Sequence, residues 1–197
     1  MYTNLVFSGG GLACLASFAC ANALRHRLEA VNTVVGTSAG SLVAALVAME
    51  ADEACVYAKF VEVLGASRPV GHVKVGTMIE SFGSMRSELV TLPIISEVFM
   101  DAYNMAEMCK GRDPSARAPT FREFAAVTGK NLVISAVNVN RGGPVFFSVE
   151  THPDQDVVQA ITASCAVPLL LSPVRIGGDL YVYYNPVLEA FSALWRR

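Results

Sequence analysis

The sequence predicts an α/β fold in which helices cover both faces of a largely parallel sheet. Two observations support this prediction. Short runs of apolar, often β-branched residues alternate with Ala-rich stretches of helical length through the first third of the chain. Glycines occur where each predicted strand passes into the following helix, which is typical of β-turn-α units in parallel sheets.

Length and composition exclude several classes of protein. A chain of 197 residues predicts a single domain, residues 1–197. With 53% hydrophobic and 16% charged residues, the chain is too apolar for an intrinsically disordered protein. A net charge of −2 indicates no basic face, so we expect no nucleic-acid partner.

The cysteines and histidines indicate neither a zinc site nor a disulfide framework. Five cysteines are scattered without a CxxC pair, and three histidines are too few to complete a convincing zinc site. We therefore expect no metal, no cofactor and a reducing, cytoplasmic compartment. The sequence gives no indication of the oligomeric state.

Three long uncharged runs raise the alternative of a membrane-spanning protein. No charged residue occurs in 1–24, 30–49 or 157–174, and such lengths are typical of transmembrane helices. However, glycines interrupt the first two runs at predicted strand-to-helix turns, and the first run lacks the positively charged start of a signal peptide. Buried strands followed by buried helices explain the runs better, so we expect neither a signal peptide nor a transmembrane segment.

The first third of the chain predicts two strands, each followed by a helix. The strands cover residues 4–8 and 31–36, and the helices cover 12–28 and 41–51. A further helix continues over 52–64. This order predicts adjacent parallel strands with helical crossovers.

The middle of the chain, residues 65–118, is repeatedly interrupted by glycine and proline. Helical patterns remain at 77–87 and 94–109. A segment of this kind can form a cap or lid over a site, or a packed helical layer, and the sequence leaves both interpretations open.

The last third begins with a strong local signal. Thr120 and Glu123 match a capping box before a helix at 121–128, which Gly129 ends. The elements predicted beyond it are strands at 131–138 and 144–149, a short helix at 156–164, a tight hairpin at 174–182 and a terminal amphipathic helix from Pro186.

The pentapeptide Gly36-Thr37-Ser38-Ala39-Gly40 matches the pattern G-x-S-x-G. In serine hydrolases this pattern forms a sharp strand-to-helix turn that exposes the serine hydroxyl at the start of a helix. The predicted strand before it and the helix after it supply that setting. Ser38 is therefore the candidate nucleophile, and the alternative is a turn with only a structural role.

A glycine triplet, Gly9, Gly10 and Gly11, follows the first predicted strand. Without Cβ atoms, its backbone N–H groups can approach an anion closely. A dinucleotide site is disfavoured because Cys14 occupies the third position of G-x-G-x-x-G, and a P-loop sequence is absent. The triplet is therefore a candidate oxyanion hole, or a tight turn without a ligand.

A Ser-His-Asp triad is poorly supported. His26 lies between two arginines in a predicted surface helix, His72 lies in the unassigned middle segment, and His152 precedes a proline in a turn. A serine hydrolase without an obvious histidine suggests a Ser–Asp dyad, in which a carboxylate takes the serine proton.

In their order along the chain, several segments resemble the patatin-like phospholipases, lipid acyl hydrolases with a Ser–Asp dyad. The resemblance extends over nearly the whole chain and implies a three-layer α/β sandwich. The segments are LVFSGGGLACLASFACANAL, GTSAG, FREFAAVTGKNLVISAVNVNRGGPVFF, VVQAITASCAVP and LYVYYNPV.

The resemblance also implies a site and a reaction. Ser38 would be the nucleophile, and Gly9, Gly10 and Gly11 would form the oxyanion hole. The expected activity is a phospholipase A-type cleavage of fatty acyl esters through an acyl-serine, with peripheral contact to a lipid surface. The alternatives are an inactive lipid- or protein-binding module and a serine esterase acting on small, dissolved esters.

The sequence departs from the family pattern in two places. The family usually has Arg or Lys and then Gly just after the triplet, where this chain has Ala13 and Cys14. The family aspartate belongs to an Asp-Gly motif directly after the strand that LYV resembles, but here Tyr183 follows Val182 directly. The acid/base partner of the serine, expected between these two residues, is therefore unassigned.

Asp179 is a poor substitute for that aspartate. It precedes the expected position by four residues, about 13 Å along a strand, whereas a base must lie about 3 Å from its proton donor. Three accounts stay open. The protein has a catalytic loop that this sequence lacks, or the domain has lost the dyad and only binds, or another carboxylate such as Asp154 or Asp156 is recruited.

Overall fold

A computed structural model describes residues 3–66, 86–114, 116–168 and 171–184 of the chain. Across these residues the chain forms six strands and six α-helices, together with two short 3-10 helices. The strands are β1 (Asn4–Phe7), β2 (Thr33–Thr37), β3 (Asn131–Asn138), β4 (Gly143–Phe147), β5 (Val174–Ile176) and β6 (Asp179–Tyr183). The α-helices are α1 (Cys14–Ala23), α2 (Ala39–Ala48), α3 (Glu53–Ala66), α4 (Arg86–Cys109), α5 (Phe121–Thr128) and α6 (Val157–Cys165). The 3-10 helices are Gly11–Ala13 and Arg25–Arg27.

The six strands form one mixed sheet in the order β1-β2-β3-β6-β5, with β4 paired to β3 outside this path. β1, β2 and β3 are parallel to one another, as the β-α-β pattern predicts. β4 and β6 pair with β3 in antiparallel orientation, and β5 pairs with β6 in the same way. The α/β fold class predicted from the sequence is confirmed, with its parallel part confined to the first three strands.

The pairing of β3 brings the ends of two other strands together. Ser135 of β3 pairs with Thr37 of β2 and with a residue of β4. The next residue, Ala136, pairs with Tyr183 of β6 and with the preceding residue of β4. Because β4 occupies one edge of β3 at both positions, β2 and β6 must share the other edge. Their carboxyl ends therefore meet there, and this junction positions the site.

One helical layer covers the face of the sheet that buries Val34 and Ile134. Helix α2 packs across β1, β2 and β3 and is buried along almost its whole length, because its residues are small and apolar. Helices α4 and α6 contact α2 and each other.

The described side chains of helix α4 contribute to the hydrophobic core. Phe99 and Tyr103 of α4 stack with Phe124 of α5, with ring centroids 6.0 to 6.2 Å apart. The helical pattern at 94–109 is confirmed, but the helix begins earlier and its backbone continues through Pro93. Residues 67–85 lie outside the described residues, and so does most of the helix predicted at 77–87.

Most other elements follow the sequence prediction. The capping box at Thr120 and Glu123 is formed with both reciprocal hydrogen bonds, and Gly129 ends the helix in the left-handed conformation. Helix α1 is shorter than the predicted 12–28, because a 3-10 turn replaces its first residues and a second one follows its end. The helix predicted from Pro186 lies outside the described residues. Along the part of the chain that the structure describes, no helix has both the length and the apolar character needed to cross a membrane.

Candidate active site

Ser38 lies at the sharp turn between β2 and α2. Its φ of 55° and ψ of −135° place it in a region that residues with a side chain rarely adopt. Three hydrogen bonds hold this conformation. The Ser38 N–H donates to Ser164 Oγ at 2.8 Å, and the Ser38 carbonyl accepts from the Ser41 N–H at 2.8 Å and from the Ser41 hydroxyl. The strained turn is therefore fixed from α6 and from within α2.

The two glycines of GTSAG are required by close backbone contacts. A Cβ at Gly36 would lie 2.3 Å from Ser41 Cα, and one at Gly40 would lie 2.4 Å from the Ser8 carbonyl oxygen. Real Cβ atoms essentially never come this close to backbone atoms. The spacing of the motif is thus explained by packing of the turn against the start of α2 and the end of β1.

The first residue of the glycine triplet, Gly9, lies directly beside Ser38. A Cβ at Gly9 would lie 3.1 Å from Ser38 Cβ and 3.7 Å from Ser38 Oγ, so Gly9 leaves the space in front of the hydroxyl open. Gly11 has a φ of +54°, which favours glycine. Among the described residues, the N–H groups of the triplet donate to no acceptor, and all three glycines are exposed. Unpaired N–H groups next to a serine can bind a developing oxyanion.

Cys165, the last residue of α6, lies against the turn that carries Ser38. Its thiol lies close to the Ser38 and Ser41 side chains. Burial raises the pKa of Cys165 to about 12, and the neighbouring serine side chains oppose this only partly. The thiol therefore stays protonated and neutral near pH 7, so it supplies neither a base nor a competing nucleophile.

Tyr183 occupies the position directly after Val182, where the resemblance places the family aspartate. Its backbone N–H donates to the Ala166 carbonyl at 2.9 Å. Its hydroxyl lies 3.3 Å from the position that a Cβ on Gly9 would take. The prediction that the strand LYV ends beside Ser38 is consistent with this geometry, but a phenol stands there instead of a carboxylate.

The carboxylates considered as substitutes for the family aspartate bind residues other than Ser38. Asp179 accepts from Asn138 Nδ2 at 2.9 Å and forms an ion pair with Arg141 Nε at 2.8 Å. Asp154 pairs with Arg122 on the surface at 3.0 Å. In the described part of the chain, no carboxylate forms a hydrogen bond with Ser38.

Asp156 is also distant from the turn. Its side chain accepts from the Gln159 N–H at 2.9 Å and caps the start of α6. Cys165, which contacts Ser38, ends the same helix, and nine residues of helix span about 13 Å. Asp156 therefore cannot reach the Ser38 proton.

The described histidines do not complete a triad. His152 packs against Phe147 with ring centroids 4.8 Å apart, and its Nδ1 lies 3.0 Å from Thr151 Oγ1. Burial lowers the pKa of His152, which suits a neutral structural side chain. His26 is exposed in the second 3-10 helix, and His72 lies outside the described residues.

Two cavities lie at the far end of α2 from Ser38. One, of about 310 Å³, is lined by the end of α2 together with α3 and α4. The other, of about 650 Å³, lies between α1, the starts of the first strands and Lys130. Ten residues of helix, which span about 15 Å, separate these cavities from the turn at Ser38. Neither cavity therefore belongs to the site. Over residues 3–66, 86–114, 116–168 and 171–184, no cluster of His, Cys, Asp and Glu side chains could hold a metal ion.

Sequence reasoning identified Ser38 and the glycine triplet but missed three neighbours of the serine. Ser164 and Cys165 lie in the segment VVQAITASCAVP, which carries the family resemblance but gives no local signal of contact with Ser38. In the sequence, Tyr183 is only the residue that follows the missing motif. The edge shared by β2 and β6 brings it to the serine, and strand order is not visible in the sequence.

VipD and ExoU are among the solved structures that share this fold. VipD from Legionella pneumophila has a TM-score of 0.57 and 16% identity over 92% of this chain and 45% of that chain. ExoU from Pseudomonas aeruginosa, solved in complex with SpcU, has a TM-score of 0.51 and 24% identity over 88% of this chain and 42% of that chain.

Several relatives match by sequence, among them a viral and a fungal protein. A probable lipid hydrolase of Invertebrate iridescent virus 6 is 22% identical over 185 residues, 92% of this chain and 59% of that protein. A patatin-like phospholipase domain-containing protein of Neosartorya fischeri is 30% identical over 173 residues, 87% of this chain and 22% of that protein. The chain therefore spans less than two thirds of the length of either relative. The profile of the patatin-like phospholipases matches residues 5–191, nearly the whole chain. The chain belongs to the patatin-like phospholipase family.

Proposed function

We propose that this protein is a lipid acyl hydrolase of the phospholipase A type, with Ser38 as its nucleophile. The main support is one relationship. The serine stands on a strained turn at the start of α2, and Gly9 lies beside its hydroxyl. Gly9 begins the exposed glycine triplet, whose N–H groups are unpaired among the described residues. Strain of this kind costs about 1–3 kcal/mol, and it persists where the surrounding structure fixes it for a function.

The geometry suits acyl transfer. Ser38 Oγ attacks the ester carbonyl carbon, and the carbonyl oxygen becomes negatively charged. The N–H groups of Gly9, Gly10 and Gly11 donate to this oxyanion, aided by the positive end of the α2 dipole. The alcohol leaves, an acyl-serine remains, and water then hydrolyses it to release the fatty acid and restore the hydroxyl.

Acyl lipids are the proposed substrates. The viral relative is described as a probable lipid hydrolase, and both relatives align with most of this chain. Leu12, next to the glycine triplet, is 62% exposed although it is large and apolar. An exposed leucine at the mouth of the site would contact the apolar part of a lipid surface, which supports peripheral membrane contact during turnover.

Release of fatty acid from phosphatidylcholine vesicles tests this function. We expect the wild-type protein to release free fatty acid, measured by mass spectrometry, and the Ser38→Ala variant to release none above background. Phospholipids with different acyl chains at the two glycerol positions reveal which ester is cleaved. Equal release by both proteins, or release by neither, would contradict the proposal.

A catalytically inactive lipid-binding module is the second candidate. It is favoured by one observation, the lack of a carboxylate hydrogen-bonded to Ser38 within the described residues. In that case wild type and Ser38→Ala would co-sediment equally with vesicles, and neither would release fatty acid. Vesicle binding and fatty acid release, measured on the same samples, separate the two candidates.

A further inference from the structure

The hydroxyl of Tyr183 faces the same space as the hydroxyl of Ser38. The Cβ position of Gly9 lies 3.3 Å from Tyr183 Oη and 3.7 Å from Ser38 Oγ. The two oxygens therefore both border the small volume above Gly9 that a Cβ would fill. Substrate atoms that react with Ser38 must enter this volume.

The backbone holds Tyr183 firmly at this place. It pairs with Ala136 of β3, and its N–H donates to the Ala166 carbonyl at 2.9 Å. Its side chain is half-buried, and its hydroxyl forms no hydrogen bond with another described residue. A positioned but unpaired hydroxyl at a reacting serine is available to a substrate.

The other polar groups around Ser38 already form hydrogen bonds or are buried and neutral. Ser164 Oγ accepts the Ser38 N–H, and the Ser41 hydroxyl donates to the Ser38 carbonyl. The Cys165 thiol is buried and held neutral. Among the described neighbours of the serine, Tyr183 offers a hydroxyl that is free both to accept and to donate a proton.

Ester cleavage by a serine requires one proton to move. The serine hydroxyl must lose its proton as the Oγ–carbon bond forms, and the leaving oxygen must gain one as its bond to the carbonyl carbon breaks. A carboxylate would store the proton between these events. A phenol can instead pass it on, because its oxygen accepts one proton while its own hydrogen is donated.

We propose that Tyr183 is a catalytic residue of this protein and relays the proton from Ser38 to the leaving oxygen of the ester. Tyr183 Oη accepts the Ser38 proton and gives its own to the leaving alcohol. The phenol is neutral before and after the step, and no further reactant is needed. Deacylation runs the same relay in reverse, with water in the place of the alcohol. The inference rests on the proposed lipid acyl hydrolase function.

Two esters of one acid test the relay in the full-length chain. Ethyl butyrate has a leaving alcohol that must be protonated, whereas the p-nitrophenolate of p-nitrophenyl butyrate leaves readily without a proton. General acid–base catalysis contributes about 10²–10⁴-fold. We expect Tyr183→Phe to lose activity in this range on the ethyl ester and clearly less on the p-nitrophenyl ester.

Tyr181→Phe is the matched control. Tyr181 lies on the same strand and face, but its hydroxyl accepts from Asn138 Nδ2 at 3.1 Å rather than facing Ser38. We expect this variant to lose stability yet keep the wild-type ratio of the two ester rates. Tyr183→Phe removes no described hydrogen bond, so its melting temperature should stay close to that of wild type.

An equal loss on both esters, or no loss, would overturn the relay while leaving the proposed function in place. If the wild-type protein hydrolyses neither ester and releases no fatty acid from vesicles, the proposed function fails and the relay fails with it. The ratio of the two rates thus distinguishes a proton relay from a merely structural tyrosine.

Discussion

Gly40 lies against Ser8 so closely that a Cβ on the glycine would stand 2.4 Å from the serine carbonyl oxygen. This contact joins the start of α2 to the end of β1. It brings the glycine triplet, which follows Ser8, to the side of Ser38. The lack of a side chain at Gly40 thus allows the glycine triplet and Ser38 to lie side by side.

We therefore expect Gly36→Ala and Gly40→Ala to destabilise the fold. Each added methyl would meet backbone atoms that cannot rotate away, and overpacking of this kind costs about 1–3 kcal/mol or more. Gly143→Ala is the control, because nothing lies within 4 Å of its Cβ position. Urea denaturation should show lower unfolding free energies for the first two variants only, and a loss as large in Gly143→Ala would contradict the packing argument.

Asp179 should be dispensable for hydrolysis. Its carboxylate binds Asn138 and Arg141, and it lies four positions before Tyr183 on β6. We expect Asp179→Asn to reduce stability modestly and to keep the rate of fatty acid release close to that of wild type. A loss of activity as large as that of Ser38→Ala would show that this carboxylate serves the serine after all.

Glu123 makes the free energy of unfolding depend on pH in the acidic range. The side-chain hydrogen bond from Arg117, followed by that from the Thr120 N–H, lowers the pKa of Glu123 to about 2. A depressed pKa stabilises the fold above the ordinary glutamate pKa, and this contribution is lost as the pH falls toward about 2. Since the carboxylate is 41% exposed, solvent screening keeps the effect small.

Glu123→Gln tests this dependence. We expect the difference in unfolding free energy between wild type and Glu123→Gln to be larger at pH 7 than at pH 3, measured by urea denaturation. A difference that does not change with pH would mean that the charge of Glu123 contributes nothing beyond its neutral capping hydrogen bond.

Leu12 should promote activity on aggregated lipid. Replacing this exposed leucine by aspartate places a charge at the mouth of the site and disfavours contact with an apolar surface. We expect Leu12→Asp to lower the rate on vesicles and on esters above their micelle threshold, with little change on the same esters below it. Val61→Asp is the control, because Val61 is 71% exposed on α3 and does not adjoin the glycine triplet. Equal rates of wild type on dissolved and aggregated ester would favour a small-ester esterase.

Local signals in the sequence predicted the local parts of the fold. The capping box and Gly129 set the ends of α5, and the small residues of GTSAG indicated the turn at Ser38. Both depend on residues adjacent in the chain. The course of α4 through Pro93 was not predictable, because its packing on the core outweighs the proline that interrupts its pattern.

The surroundings of Ser38 were only partly predictable, because they also depend on contacts between residues far apart in the chain. Ser164 and Tyr183 reach the serine through α6 and β6, which follow it by more than a hundred residues. Their approach depends on β6 sharing an edge of β3 with β2, a long-range pairing with no local signature. The single-domain organisation and the cytoplasmic location stay predictions.

Labelling with a fluorophosphonate tests the central role of Ser38 most directly. The probe forms a covalent bond only with an activated hydroxyl, and removal of a nucleophile typically lowers turnover by several orders of magnitude. We predict a single adduct on wild-type protein, mapped by peptide mass spectrometry to Ser38, and no adduct and no fatty acid release for Ser38→Ala. An unlabelled wild-type protein, or an adduct that persists in Ser38→Ala, would contradict the assignment of Ser38 as the nucleophile.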